Sequence, residues 1–381
     1  MTLHQPDVLI VGGGVIGLTT ALCLADKGLS ISLLDRQATG QEASWAGAGM
    51  LPPGNLQNAA TPEARLRSYS HSLWAGLSQR LLEQTGIDNG YRVCGAVNVF
   101  NKDEGNLFRA HCQAWTDEGV RFHLSISNEA IQYVPDLNPM FESTVYLPDF
   151  AQVRNPRHLQ ALRTACLQKG VEIIEHVSDV NFVAAEHRIV KARLPNRTLS
   201  FAALCVTAGS WSTSILLSLG VEIPVRPIRG QIVQLQMHEL PFNCVIEHGR
   251  QYLVPRQDGL ILVGSTQEDV GFEKKNTAEG IAQLLQFAVS LVPALRHAEV
   301  VRCWSGLRPA SPDELPVLGA VPGLSNVFVG AGHFRSGLQM SPGTAAILAD
   351  VIYRSETVIS LEGLTVDRFH LTRNSQITDD T

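Results

Sequence analysis

The chain predicts an α/β fold, in which a mainly parallel domain is interrupted twice by an antiparallel α+β domain. Three features carry that expectation. A strand, glycine turn, helix and second strand fill the first 35 residues. A strand running into a glycine turn returns at 201–211 and again at 327–337, as repeated βα units do. Between these, 229–264 holds short apolar runs joined by turns such as Asp258-Gly259, the pattern of antiparallel strands.

Composition sets the outer limits. With 381 residues, two to three domains are expected at roughly 150 residues each. An apolar fraction of 45% and a charged fraction of 17% describe a chain that folds and buries a core without staples. The net charge of −6 without a Lys/Arg block excludes a nucleic-acid or anionic-membrane surface. The seven cysteines (23, 94, 112, 166, 205, 244 and 303) are odd in number and lack C-x-x-C spacing, which argues for buried thiols in a reducing compartment. The histidines show no H-E-x-x-H spacing, so no metal site is expected. Val8–Ala25 is uncharged, but Asp7 precedes it where a secretory signal needs positive charge, and its glycines would break a membrane helix. A cytoplasmic protein without membrane insertion is the expectation.

The first unit is the most informative. Asp7–Val11 reads as a buried parallel strand, Leu18–Lys27 as a helix stopped by Gly28, and Ser30–Leu34 as a second strand ending at Asp35. The turn G-G-G-V-I-G between them is a dinucleotide fingerprint in its required context. Gly12 permits the tight turn, Gly14 admits a pyrophosphate close to the backbone, and Gly17 lets the helix pack on the strand. The helix start offers unpaired N–H groups to phosphates, and Asp35, 18 residues after Gly17, would accept ribose hydroxyls. NAD and FAD share this fingerprint, so both stay open at this point.

The next segment, Gly40 to Leu51, is built of small residues that let backbone run flush against a flat ligand. A nicotinamide dehydrogenase would begin another regular element here. Further on, Leu66–Gln84 reads as a helix, Tyr91–Phe100 as a strand, and 101–145 as short helices and turns. Val153–Gly170 reads as a helix opened by Asn155-Pro156, Val171–Ile174 as a strand, Phe201–Val206 as a strand, and Thr277–Ala294 as a helix. Near the C-terminus, W-S-G-L-R-P (304–309) precedes V-F-V-G-A-G-H-F-R-S-G-L-Q (327–339), which leads into an apolar helix from about Thr344 to Tyr353. A helix start there, far from the first phosphate site, would stabilise negative charge on the N1–C2=O edge of a reduced flavin. Nicotinamide enzymes need no such feature, which moves the cofactor to FAD.

The run D-R-x-x-x-G-x-E-A-S-W-A-x-A-G-M-L after the fingerprint, together with the two C-terminal blocks, resembles the flavin oxidase family of glycine oxidase and D-amino-acid oxidase. The resemblance covers nearly the whole chain. It implies a Rossmann-like FAD-binding domain from 1–85, 149–222 and 304–381, and a discontinuous substrate domain from 86–148 and 223–303. By motif position it implies FAD contacts at Val15, Ile16, Asp35, Arg36, Ala43, Ser44, Ala48, Gly49, Met50 and Val177, and along His333, Phe334, Arg335, Ser336, Gly337, Leu338 and Gln339. It implies substrate contacts at Arg308 for the carboxylate, Arg335, Tyr252 of Q-Y-L-V-P-R, and Met50. Asp35 replaces the usual Glu, and Trp45 and Gly47 stand where the family carries small residues and alanines.

What the resemblance implies about chemistry follows from those residues. Arginine suits a carboxylate because its planar fork donates two parallel bonds and stays charged. Holding that end of a small amino acid or amine aims Cα–H at flavin N5, so hydride transfer leaves an imine. Water then gives the 2-oxo acid and ammonia, and O2 or another acceptor reoxidises the flavin, with hydrogen peroxide as the oxidase product. No residue is assigned as a catalytic base. In thiamine biosynthesis the glycine imine would pass to thiazole assembly. A D-amino-acid or sarcosine/secondary-amine oxidase or dehydrogenase of the same fold is the alternative; an NAD-dependent dehydrogenase and a non-catalytic flavin-binding protein are more distant ones. A homo-oligomer is left open.

Overall fold

A computed structural model describes residues 5–126 and 132–369. The expected last segment, 304–381, is therefore described only to residue 369, and 127–131 of the stretch expected as short helices and turns lie outside the described residues.

A six-stranded sheet runs in the order Val317–Ala320, Val327–Ala331, Ala203–Val206, Val8–Val11, Ile31–Leu34, Glu172–Ile174. All neighbours are parallel except the antiparallel edge strand Val317–Ala320. Its central strands are apolar on both faces because both are covered. Val8 and Ile10 pack with Leu18, Leu22, Leu162, Cys205 and Leu348, from helices Val15–Asp26, Asn155–Gln168 and Ser341–Tyr353 and the neighbouring strand. Leu9 and Val11 face the other way, onto Ile189 and Leu199 of a small three-stranded sheet and Leu216 of helix Ser212–Ser218.

An eight-stranded sheet collects Glu299–Ala310, Arg226–Gln236, Leu260–Gly264, Gln251–Pro255, Val245–His248, Ala96–Asn101, Phe141–Leu147 and His123–Ile126, in that spatial order. The pairs are antiparallel except Val245–His248 with Ala96–Asn101. One face is closed by helix Ala278–Leu291, whose Leu284, Phe287 and Ala288 pack on Val233, Leu253 and Val263. Thr277 caps that helix, its hydroxyl accepting the Gly280 N–H at 3.1 Å. The opposite face carries Ile232, Tyr252, Val254, Leu262 and Trp304 and meets Ala48. That face is the one turned toward the cofactor-fingerprint half of the molecule.

Several expected elements change. Residues 101–145 hold a 14-residue helix, Gly105–Glu118, and two strands of the large sheet rather than short helices and turns. The strand expected over Tyr91–Phe100 breaks into Arg92–Val93 and Ala96–Asn101, because Gly95 takes a left-handed φ of 72° and turns the chain between two sheets. The strand Glu299–Ala310 runs unbroken across the expected division at 303/304, so the large sheet extends to Ala310. The helix expected to Ala294 stops at Leu291 before Pro293 and passes into a 3-10 turn, and the final helix starts at Ser341, with Pro342 in its first turn.

Candidate active site

Between the two large sheets lies a cavity of about 810 Å³, within the roughly 300–1,000 Å³ usual for ligand sites. Its wall starts at the glycine turn. Gly12 has φ +110°, and a Cβ there would meet the Thr207 carbonyl oxygen at 2.5 Å. A Cβ on Gly17 would collide with the Gly12 carbonyl oxygen, so this glycine sets helix against strand and does not line the cavity. Gly14 does line it. The Val15 N–H is taken by Ser44 Oγ at 2.9 Å, while among the described residues the N–H groups of Gly14 and Ile16 have no partner. Unpaired donors at a helix start are an anion site.

Asp35 also has a structural task. Its carboxylate accepts the Gly13 N–H at 2.7 Å and the Gln37 N–H at 2.8 Å, so it first holds the glycine turn itself. Burial raises its pKa, and those two backbone bonds oppose the rise. A carboxylate has about four acceptor positions, which leaves room for ribose hydroxyls. Val177, which also lines the cavity, is similarly committed: its N–H donates to the Asp35 carbonyl at 2.9 Å. Arg36 stacks over Trp211, 3.5 Å from the ring centroid, and bonds Glu42 at 3.1 Å.

The 43–51 segment is held in place from beneath. Asn155 Nδ2 donates to the Ser44 carbonyl at 2.7 Å, Trp304 Nε1 to the Ala46 carbonyl at 3.0 Å, and Arg256 Nη2 to the Ala48 carbonyl at 2.6 Å. Buried Arg256 also bonds Gln152 Oε1 and the Val153 carbonyl, and burial lowers its pKa to about 10. A Cβ on Gly49 would collide with the Val153 carbonyl oxygen. The sequence did not single out Arg256, and it marked Asn155 only as the opening of its helix. The only signal for Arg256 is its place in Q-Y-L-V-P-R, next to a proline that cannot donate to the sheet.

The C-terminal turn completes that end. Phe334 takes a left-handed φ of 49° and donates its N–H to the Pro309 carbonyl at 2.7 Å. The His333 ring is bonded to Thr344 Oγ1 at 2.9 Å through Nε2, and burial lowers its pKa to about 3, so it is neutral. Among the described residues the N–H groups of Gly337, Leu338 and Gln339 have no partner. Two buried acceptors on lining residues, Asn155 Oδ1 and Gln339 Oε1, are also unpaired. Orphaned buried polar atoms of both kinds are costly unless a ligand meets them. They fit a long ligand with phosphates at one end and a polar ring edge at the other, which is the shape and chemistry of FAD.

The large sheet supplies the remaining wall. Arg308 lays its guanidinium flat over Gly230, where a Cβ would overlap it. It donates to Ser265 Oγ at 2.6 Å and the Thr266 carbonyl at 3.1 Å. Tyr252 lies over Gly264, whose Cβ would fall 2.5 Å from the ring. Burial lowers the Arg308 pKa, with Tyr252 opposing, but guanidinium stays charged at any working pH. Arg335, at the exposed rim, donates to the Arg250 carbonyl at 2.7 Å. Glu247, unforeseen in the sequence, also lines the cavity, and its pKa is raised to about 7 by burial, with Arg335 opposing.

Every residue expected at the site except Gly17 thus lines one cavity. The FAD dependent oxidoreductase family model matches residues 7–351. The chain belongs to that family. Its cofactor is FAD, and it is an oxidoreductase. It is 35% identical to a glycine oxidase of Pseudomonas putida over 93% of this chain and 96% of that one. It is 36% identical, over 97% of its length, to 55% of a bifunctional protein ThiO/ThiG of Synechocystis. The crystal structure of a glycine oxidase from Geobacillus kaustophilus superposes with a TM-score of 0.90 at 29% identity, covering 96% of this chain and 99% of that one. No helix among the described residues is long and apolar enough to cross a membrane.

Proposed function

We propose that the protein oxidises glycine and other small amino acids or amines to the imine, and thence to the 2-oxo acid and ammonia. The Arg308 clamp is the observation that carries this reading. Three of its N–H groups are spent on Ser265 Oγ and the Thr266 and Arg229 carbonyls, which fix the plane, and guanidinium has five, so two remain for a carboxylate. Tyr252 lies beside it on the same glycine-floored wall, ready to share that carboxylate. Fixing the carboxylate fixes Cα, and positioning of this kind accounts for a large part of a rate enhancement.

The residues proposed to hold FAD are the glycine turn with Val15 and Ile16, Asp35 and Arg36, Ala43 and Ser44, Ala48 to Met50, Val177, and His333 to Gln339. When bound, the flavin supplies a two-electron acceptor for the hydride from Cα and passes the electrons to O2, giving hydrogen peroxide. The likeness to the glycine oxidases and to the ThiO/ThiG protein supports the substrate class. It also supports a place supplying the imine to thiamine thiazole assembly.

The test is anaerobic mixing of the flavin-loaded protein with glycine, sarcosine and D-alanine, following the flavin absorption band. Bleaching by glycine is expected. Bleaching only by D-alanine or sarcosine would replace the substrate with a D-amino acid or secondary amine, and no bleaching by any of the three would remove the amino-acid reading.

A further inference from the structure

We propose that Glu247 receives the ammonium group of the substrate and takes its proton, so that the amine is neutral when its Cα–H is oxidised. The proposal rests on the amino-acid reading above. Strand register puts Glu247 directly opposite Tyr252, and Tyr252 directly opposite Gly264. Directly opposed residues project on the same face of a sheet, so Glu247 shares the wall on which Tyr252 and Arg308 lie. An amino-acid zwitterion needs a cationic clamp for one end and an anionic group for the other. The other two lining carboxylates stand elsewhere: Asp35 holds the glycine turn, and Glu42 is paired with Arg36 and Lys274. Glu247 is the lining carboxylate on the sheet wall, and among the described residues its side chain has no hydrogen-bond partner.

Gly230, under the Arg308 guanidinium, and Glu247 stand on strands three spacings apart, roughly 14 Å at ~4.8 Å per spacing. Gly230 is two residues along its strand from the row Ile232, Gly264, Tyr252 and Glu247, so that Tyr252 lies between the cationic and the anionic group.

The groups around Glu247 set when it can act. Tyr252 faces it from one neighbouring strand and Asn98 from the other, Arg335 approaches from the C-terminal turn, and Arg308 completes the wall. The adjacent His248 is paired with Glu104 at 3.0 Å. Burial raises the carboxyl to about pH 7, so the acceptor form is present above that pH and lost below it. In the step itself the N–H bond of the ammonium breaks and an O–H bond forms on Glu247, leaving a neutral amine and a neutral carboxyl. The proton then leaves through the rim, and the lone pair on nitrogen is free to drive departure of the hydride.

The flavin-loaded protein, E247Q and E247D are mixed anaerobically with glycine between pH 6 and 10. In the wild type the second-order rate of flavin reduction rises through about pH 7 and levels off. E247Q lacks that step, climbs about tenfold per pH unit with the fraction of free amine, and meets the wild type at high pH. E247D restores part of the step. A second readout needs no turnover: 2-aminoisobutyrate, which has no Cα–H, and isobutyrate are titrated by their perturbation of the flavin spectrum. E247Q weakens the first about tenfold at pH 8, the scale of a charge-assisted bond, and leaves the second unchanged. Parallel pH profiles differing by a constant factor, or equal weakening of both ligands, would overturn the proposal while leaving the amino-acid reading intact. A wild-type flavin that none of the amino acids bleaches would remove both.

Discussion

Arg308 is the residue on which the substrate reading turns, and its surroundings say what its loss would do. The guanidinium bonds to Arg229 of the large sheet and to Ser265 and Thr266 just past the strand Leu260–Gly264, and none of these partners belongs to the glycine turn or the 43–51 segment. Arg308→Ala should therefore keep bound flavin yet slow substrate-driven flavin reduction by at least about 100-fold, the scale of a lost bidentate charged pair. Unchanged reduction would sink the carboxylate clamp. Lysine at the same position should recover little, since a point charge cannot donate two coplanar bonds. Residues of this kind were hard to read from the chain alone. An arginine before a proline has many uses, and Arg308, Tyr252 and Arg335 come from separate strands and a turn. Only the family resemblance joined them. Glu247 escaped even that, because a single acid in a short strand carries no signal of its own, and nothing local reveals that its opposite neighbour is Tyr252.

At the level of elements, the first βαβ unit was legible because all its information is local. Glycine spacing, strand, helix and terminal acid occupy one continuous stretch, and the structure assembles them as one piece. Gly17 illustrates how tightly. Alanine usually gains up to about 1 kcal/mol over glycine inside a helix. Here its methyl would collide with the Gly12 carbonyl oxygen, a backbone atom that cannot swing aside. Gly17→Ala should thus destabilise by about 1–3 kcal/mol, the scale of an overpacked core, and release flavin, as denaturant midpoints and flavin fluorescence would reveal. A stability gain would refute close packing as its role. Residues 101–145 were illegible for the converse reason. Phe141–Leu147 and His123–Ile126 lie at the far end of the large sheet, and their strand character comes from partners about 20 residues apart or on another segment altogether. The helix Gly105–Glu118 buries only Glu118 fully, so little packing marks it as one long element.

For the whole molecule, two buried imidazoles govern behaviour in acid. His158, wedged against Trp74 and bonded to Asn89, and His333 are both held neutral by burial, with pKa values lowered to about 3. The unfolded chain protonates them near pH 6.5. Folded values below unfolded ones mean that stability is whole above about pH 6.5 and falls as pH drops toward 3. Urea midpoints should decline through that window, and His158→Gln should flatten the decline. A variant with the wild-type slope would acquit His158. A different consequence follows from the floor of the large sheet, where Arg308 and Tyr252 rest on Gly230 and Gly264. Neither glycine reaches into the cavity chemistry, yet each is the absence of a side chain that the chemistry requires. In a saturation scan selected on turnover, both positions should tolerate as few substitutions as Arg308 itself, with the protein still folded in the failing clones. Selection on this enzyme would then be recorded most sharply at places where there is nothing to see.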